Sequence, residues 1–104
     1  EFMADAKTWA TNNLSSFKQR MRINTDDPNE MSNLTDMLVS SYTSIIRLVG
    51  VSDASDPEVK ELIFERSRYT YNDALDEFLK NYREAINNAF LANQPKDDED
   101  EDLL

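Results

Sequence analysis

The side chains that could do chemistry in this chain are carboxylates, arginines and tyrosines, because it contains no histidine and no cysteine. Without histidine it lacks the side chain that titrates unperturbed near neutral pH and is the commonest metal ligand. Ser/His and Cys/His nucleophilic catalysis and the usual zinc sites are thereby excluded. The missing cysteines also leave no disulfide framework, which fits a reducing compartment. Among the acids, Asp26, Asp27 and Glu30 lack the glycine turn and regular oxygen spacing of a calcium loop. Their position around Pro28 suits a helix cap instead. Glu61 with Glu65, and Asp73 with Glu77, lie four apart and share helix faces, yet nothing marks one of either pair as acid and the other as base. Glu65 with Arg68, Asp76 with Lys80 and Lys80 with Glu84 have the spacing of surface ion pairs, each worth about 0.2–0.5 kcal/mol. No glycine-rich phosphate loop is present. The chain therefore reads as a non-enzyme, with no catalytic residue, cofactor or metal ligand assigned.

The least generic stretch is ERSRYTYNDALDEF, Glu65 to Phe78. It supplies the candidate site: Arg66, Arg68, Tyr69, Tyr71, Asn72 and Phe78, continued by Tyr82. Tyrosine and arginine are enriched where proteins bind one another, since each buries a large area and keeps a hydrogen-bonding tip. They serve helix junctions equally well. Arg66 and Tyr69 share one helical face, and Arg68, Tyr71 and Asn72 another. In a plain bundle the tyrosines would pack inward, while the arginines would pair with Glu61, Glu65 or Asp73 or reach a carbonyl at a helix end. On these residues alone, a helix junction and a contact between subunits fit alike.

Helix punctuation sets the elements that position this stretch. Ala6, Trp9, Ala10, Leu14, Phe17 and Met21 recur three or four residues apart and predict a helix over about Ala4 to Met21. Asp27-Pro28-Asn29-Glu30 has the form of a capping box with proline in the first turn. From there Met31, Leu34, Leu38, Tyr42, Ile45 and Val49 mark a helix of about 22 residues, roughly 33 Å long. Gly50, the chain's one glycine, closes it. Asp56-Pro57-Glu58 opens a third helix, whose phase runs through Val59, Leu62, Ile63 and Arg66 into the arginine/tyrosine stretch. Leu75, Phe78, Leu79, Tyr82, Ile86, Ala89 and Phe90 form the stripe beyond it. Weak helix formers at Thr70 to Asp73 predict a break near Thr70 to Asn72, with Thr70 or Asn72 as the next N-cap. Asn93 and Pro95 stop the last helix.

The expected fold is all-α, a small bundle of three to four helices around one long central helix, in a single domain over residues 4–93. Residues 1–3 read as a cloning scar and start, and the segment 94–104, QPKDDEDEDLL, as a disordered acidic tail. Nothing in the sequence resembles a secretory signal or a membrane span of about 20 apolar residues. Of the net charge of −10, half comes from Lys96 to Asp102, so the helical part is only moderately acidic. Duplex nucleic acid is an unfavourable direct partner for such a surface, because its phosphates call for a basic one. The alternative reading is an acidic helical inhibitor that imitates DNA, which would need carboxylates arrayed along one folded face whereas half of the net charge lies in the tail, or a small adaptor.

The stretch also resembles a family. Head-tail connector proteins of tailed bacteriophages, also called DNA-packaging connectors, commonly end their helical core with a pattern like R-x-R-Y-x-Y-N-D-A-x-x-x-F. Here Arg66, Arg68, Tyr69, Tyr71, Asn72, Asp73, Ala74 and Phe78 follow it, with Asn81 and Tyr82 after. FKQRMRINTDDPNEMSNLTDML is similar to the family's short helix, R-I step, acidic turn and long helix, so the likeness spans about Phe17 to Leu91. It implies a structural virion protein: a closed ring of identical subunits at the portal vertex that extends the DNA channel. Its partners would be other copies of itself, the portal protein and head-completion or tail proteins. DNA would pass through without sequence-specific binding and no membrane would be involved. The protein would sit at the head-tail interface of the virion, and in the host cytoplasm during assembly.

Overall fold

The computed structural model describes residues 2–94, with side chains described from Asp5 onward. Four helices follow one another: α1 (Phe2–Met21), α2 (Pro28–Val49), α3 (Pro57–Tyr71) and α4 (Leu75–Ala92). The fold is all-α, and α2, at 22 residues the longest, packs against each of the other three. α1 starts two residues before the position expected from its apolar stripe, since the backbone of Phe2 and Met3 is already helical. The acidic segment 95–104 and Glu1 lie outside the described residues. Among the described residues no helix is long and apolar enough to cross a membrane.

Apolar spacing accounts for the packing. α1 buries Ala6, Ala10 and Phe17, and the two alanines let its backbone approach α2 closely. α2 buries Leu34, Leu38, Tyr42, Ile45, Ile46 and Val49, so its stripe is covered along its length. Where α1, α2 and α3 meet, Trp9 lies 5.5 Å from the Tyr42 ring and 5.9 Å from Phe64, with Phe17 on Phe64 at 5.4 Å. These tilted and edge-on rings give directional contacts beyond their buried area.

Three helices end with the same device. A residue in the left-handed region follows each: Arg22 at φ 59°, Gly50 at 79° and Asp73 at 57°. In each case the next amide reaches back five residues, from Ile23 to Lys18, Val51 to Ile46 and Ala74 to Tyr69. This closure satisfies carbonyls that the helix would otherwise leave without partners. Only Gly50 advertises it in the sequence.

The starts of α2 and α4 also differ from expectation. Asp27 and Asp56 both sit in extended backbone ahead of a proline, but only Asp56 caps with its side chain, accepting from the Glu58 amide at 2.9 Å. The expected capping box at Asp27 and Glu30 is not closed. There the Asp27 amide donates to the Thr25 hydroxyl at 3.1 Å, so the turn is held from upstream. The break before α4 falls at Asn72 to Ala74, slightly later than expected. Neither Thr70 nor Asn72 caps α4; Ala74 occupies that position with no side-chain bond, and Asn72 belongs to the end of α3.

Candidate functional site

The arginine/tyrosine stretch forms the corner between α3 and α4. Its centre is Glu65, a carboxylate only 8% exposed as a residue. One oxygen accepts from Arg68 Nε at 3.0 Å, from Arg68 Nη2 at 2.6 Å and from the Tyr82 hydroxyl at 2.7 Å. The other accepts from Arg20 Nη2 at 2.9 Å, and Arg20 also pairs with Glu61. Helix spacing explains part of this: Glu61, Glu65 and Arg68 are four and three residues apart on α3 and face the same way. Arg20 arrives from the last turn of α1 and Tyr82 from the second turn of α4. A single carboxylate therefore ties three helices together.

Burial draws the Glu65 carboxyl upward, but hydrogen bonds from Arg68 and Tyr82 and the charges of both arginines outweigh it and hold it below its usual range. Glu61 is also held low, chiefly by its hydrogen bond from Arg20. Burial raises the Tyr82 hydroxyl, and its bond to Glu65 raises it further. These directions agree: Glu65 is ionised and Tyr82 protonated, the states in which the bond between them is strongest. Both Glu65 oxygens are occupied by donors, so its role here is to accept hydrogen bonds.

Beside this node is an aromatic cluster. Phe78 and Tyr82 stack at 4.9 Å, and Tyr69 stands edge-on to both, at 5.7 Å and 5.5 Å. Asn81 donates to the Tyr69 hydroxyl at 3.0 Å, and the Arg68 guanidinium lies 5.1 Å from the centre of the Tyr69 ring. The i to i+4 step from Phe78 to Tyr82 places the two α4 rings on one face. Tyr69, in the last turn of α3, meets them across the corner.

The structure thus brings Arg68, Tyr69, Phe78 and Tyr82 into one junction and sends the other three candidates elsewhere. Arg66 turns toward α2 and donates to the buried Ser41 hydroxyl at 3.1 Å, not to a carboxylate. Burial lowers its pKa. Asn72 folds its amide onto the Arg68 carbonyl at 2.9 Å and finishes α3. Tyr71 does not pack inward, as it would in the plain-bundle reading; it is 37% exposed on the outside of the corner. Sequence reasoning took Glu65 for an ordinary surface acid and missed Arg20 and Ser41. Arg20 lies 45 residues from its partner, so no local spacing could signal the pair. The pairs Asp76 with Lys80 and Lys80 with Glu84 are not formed among the described residues. Neither do three or more acids gather there as a possible metal site.

Compared with protein families, with curated proteins and with solved structures, the chain finds no match in any of the three.

Proposed function

We propose that this chain is a structural subunit of a head-tail connector of a tailed bacteriophage, assembling with copies of itself into a ring at the portal vertex that extends the DNA channel. The reading rests on the resemblance of Arg66 to Phe78 to the connector pattern. It is supported by one observation above all: the residues of that pattern build the α3 to α4 corner, where Arg68, Tyr69 and Phe78 fix the helices and Tyr71 and Asn72 are left on the outer surface. A corner held rigidly from inside, with an exposed tyrosine outside, suits contact with a neighbouring subunit. The portal protein and head-completion or tail proteins are the further partners, in the virion and in the host cytoplasm during assembly. DNA passes through the ring without being read.

The test is electron microscopy of lysates from the source phage with this gene deleted. DNA-filled or leaking heads beside unattached tails are the expected result, with complementation restored by the native gene and impaired by Tyr71→Ala. Normal infectious virions would overturn the proposal, and capture of a nucleic-acid-binding host protein would then favour an acidic inhibitor or adaptor.

A further inference from the structure

Opposite its buried stripe, α2 carries a face made of Asp36, Ser40, Thr43, Ser44 and Arg47, of which Asp36, Ser40 and Arg47 are exposed. Val39, Ser40, Thr43, Ser44, Arg47 and Leu48 line a shallow depression of about 490 Å³ along it. Leu48, at its edge, is 40% exposed, the one large apolar side chain on α2 left so open among the described residues.

Asp36 and Arg47 give this face its charge, and neither makes an ion pair among the described residues. Arg66 lines the groove beside Asp36 but turns to Ser41 instead. Asp36 and Arg47 are eleven residues apart, three turns plus about 20°, so they point the same way roughly 16 Å apart along the axis. That is too far for the two to meet within one helix. It makes the face complementary to itself. A second α2 laid antiparallel across the level midway between Ser41 and Tyr42 sets Arg47 of each copy opposite Asp36 of the other, and Ser40 opposite Thr43. A parallel arrangement would instead set Asp36 on Asp36 and Arg47 on Arg47.

We propose that the outer face of α2 is a twofold self-association surface, on which two copies of the chain pair antiparallel through reciprocal ion pairs between Asp36 and Arg47. The short side chains of Ser40, Thr43 and Ser44 let the two helix axes approach to about 8–10 Å at the crossing. Val39 and Leu48, on opposite edges of the face, lose water as the second helix settles. The net charge of −10 opposes self-association, but Asp36 and Arg47 balance on this face, and about 0.15 M salt limits the reach of the other charges to about 8 Å. A single helix crossing buries less than the roughly 800 Å² per partner of a standard interface, so the dimer is weak. The contact is isologous, whereas a ring is built head to tail. It uses no residue of the α3 to α4 corner and does not depend on the connector reading.

The test is sedimentation equilibrium of the full chain in about 0.15 M salt, from about 10 µM to about 1 mM. A monomer to dimer equilibrium is the expected result. Asp36→Arg alone, or Arg47→Asp alone, turns both attractions into repulsions and should raise the dissociation constant at least about tenfold. Both positions are exposed and lack ion pairs within the chain, so helix content by circular dichroism should not change. The deciding sample mixes the two variants in equal amounts: a face with two arginines then meets a face with two aspartates, and a one-to-one dimer should form although neither variant pairs with itself. The chain carrying both changes should again self-associate. A native chain that stays monomeric throughout overturns the proposal. So does an oligomer that both single reversals leave intact, or a mixture that stays dissociated.

Discussion

Replacing Glu65 with glutamine isolates the node that ties α1, α3 and α4. The substitution keeps shape and leaves one oxygen for Arg68 and Tyr82, but it removes the charge and turns an amide NH2 toward Arg20, donor against donor. Four hydrogen bonds to the carboxylate are affected. A bond to a charged group contributes about 1.5–3 kcal/mol. The Arg20 and Arg68 side chains, however, are 37% and 44% exposed and regain water when released, so most of their share is screened. The net loss at neutral pH should be about 2 kcal/mol, or roughly 8–16 °C in melting temperature for a domain of this size. Urea unfolding followed by circular dichroism, with an unchanged m-value, measures it. The pH dependence is a second check. Because the folded carboxyl titrates below its unfolded value, its contribution is fully present above about pH 4.5 and is lost as pH falls through the lower folded value. The difference between native protein and variant should therefore shrink as pH falls below the unfolded value and through the lower folded one, although Glu61 leaves both with some acid sensitivity. A loss under about 0.5 kcal/mol at pH 7, or one undiminished by acid, would refute the assignment of Glu65 as an ionised tie.

The same unfolding measurements test four other positions. Phe78→Ala empties the centre of the corner and should cost about 3–4 kcal/mol. Asp56→Ala removes the cap on the Glu58 amide and a 3.2 Å bond from Asn93, for about 1–1.5 kcal/mol. Gly50→Ala should cost about 1 kcal/mol, all of it from the left-handed backbone, because the added methyl has ordinary room. Arg22→Gly should gain about 0.5 kcal/mol by relieving the same conformation where an arginine now adopts it.

The sequence was most readable where one residue type has one structural use. Asp56-Pro57 and Gly50 set helix ends correctly, and the apolar period of α2 ran between limits that matched its 22 residues. It was least readable where the deciding partner is distant or the device has substitutes. Asp73 and Arg22 close helices as glycine does, but neither has glycine's distinctive backbone freedom to announce it. The α4 stripe was visible, but not that Leu75, Leu79 and Phe90 stay partly exposed, since periodicity shows which residues share a side and not how wide the covering neighbour is. Tyr71 was expected inside only on the plain-bundle reading, and a contact between subunits had fitted it equally well. At the site, the Glu65 to Arg68 spacing was visible, whereas Arg20 from α1 and Ser41 from α2 enter only through tertiary packing.

The hub position of α2 has a kinetic consequence. The principal helix pairings, α1 with α2, α2 with α3 and α3 with α4, join neighbours along the chain through short connections, whereas α2 with α4 and the contacts of Trp9, Phe17 and Arg20 with α3 skip an element. Loop closure is thus cheap at each stage, and a topology this local is expected to fold within milliseconds or faster. The tie from Arg20 to Glu65 spans 45 residues and, as a side-chain contact across such a separation, is expected to close after the helices have docked. Weakening it would hasten unfolding and leave the folding rate nearly untouched. Glu65 and its arginines act as a latch on a structure that has already formed.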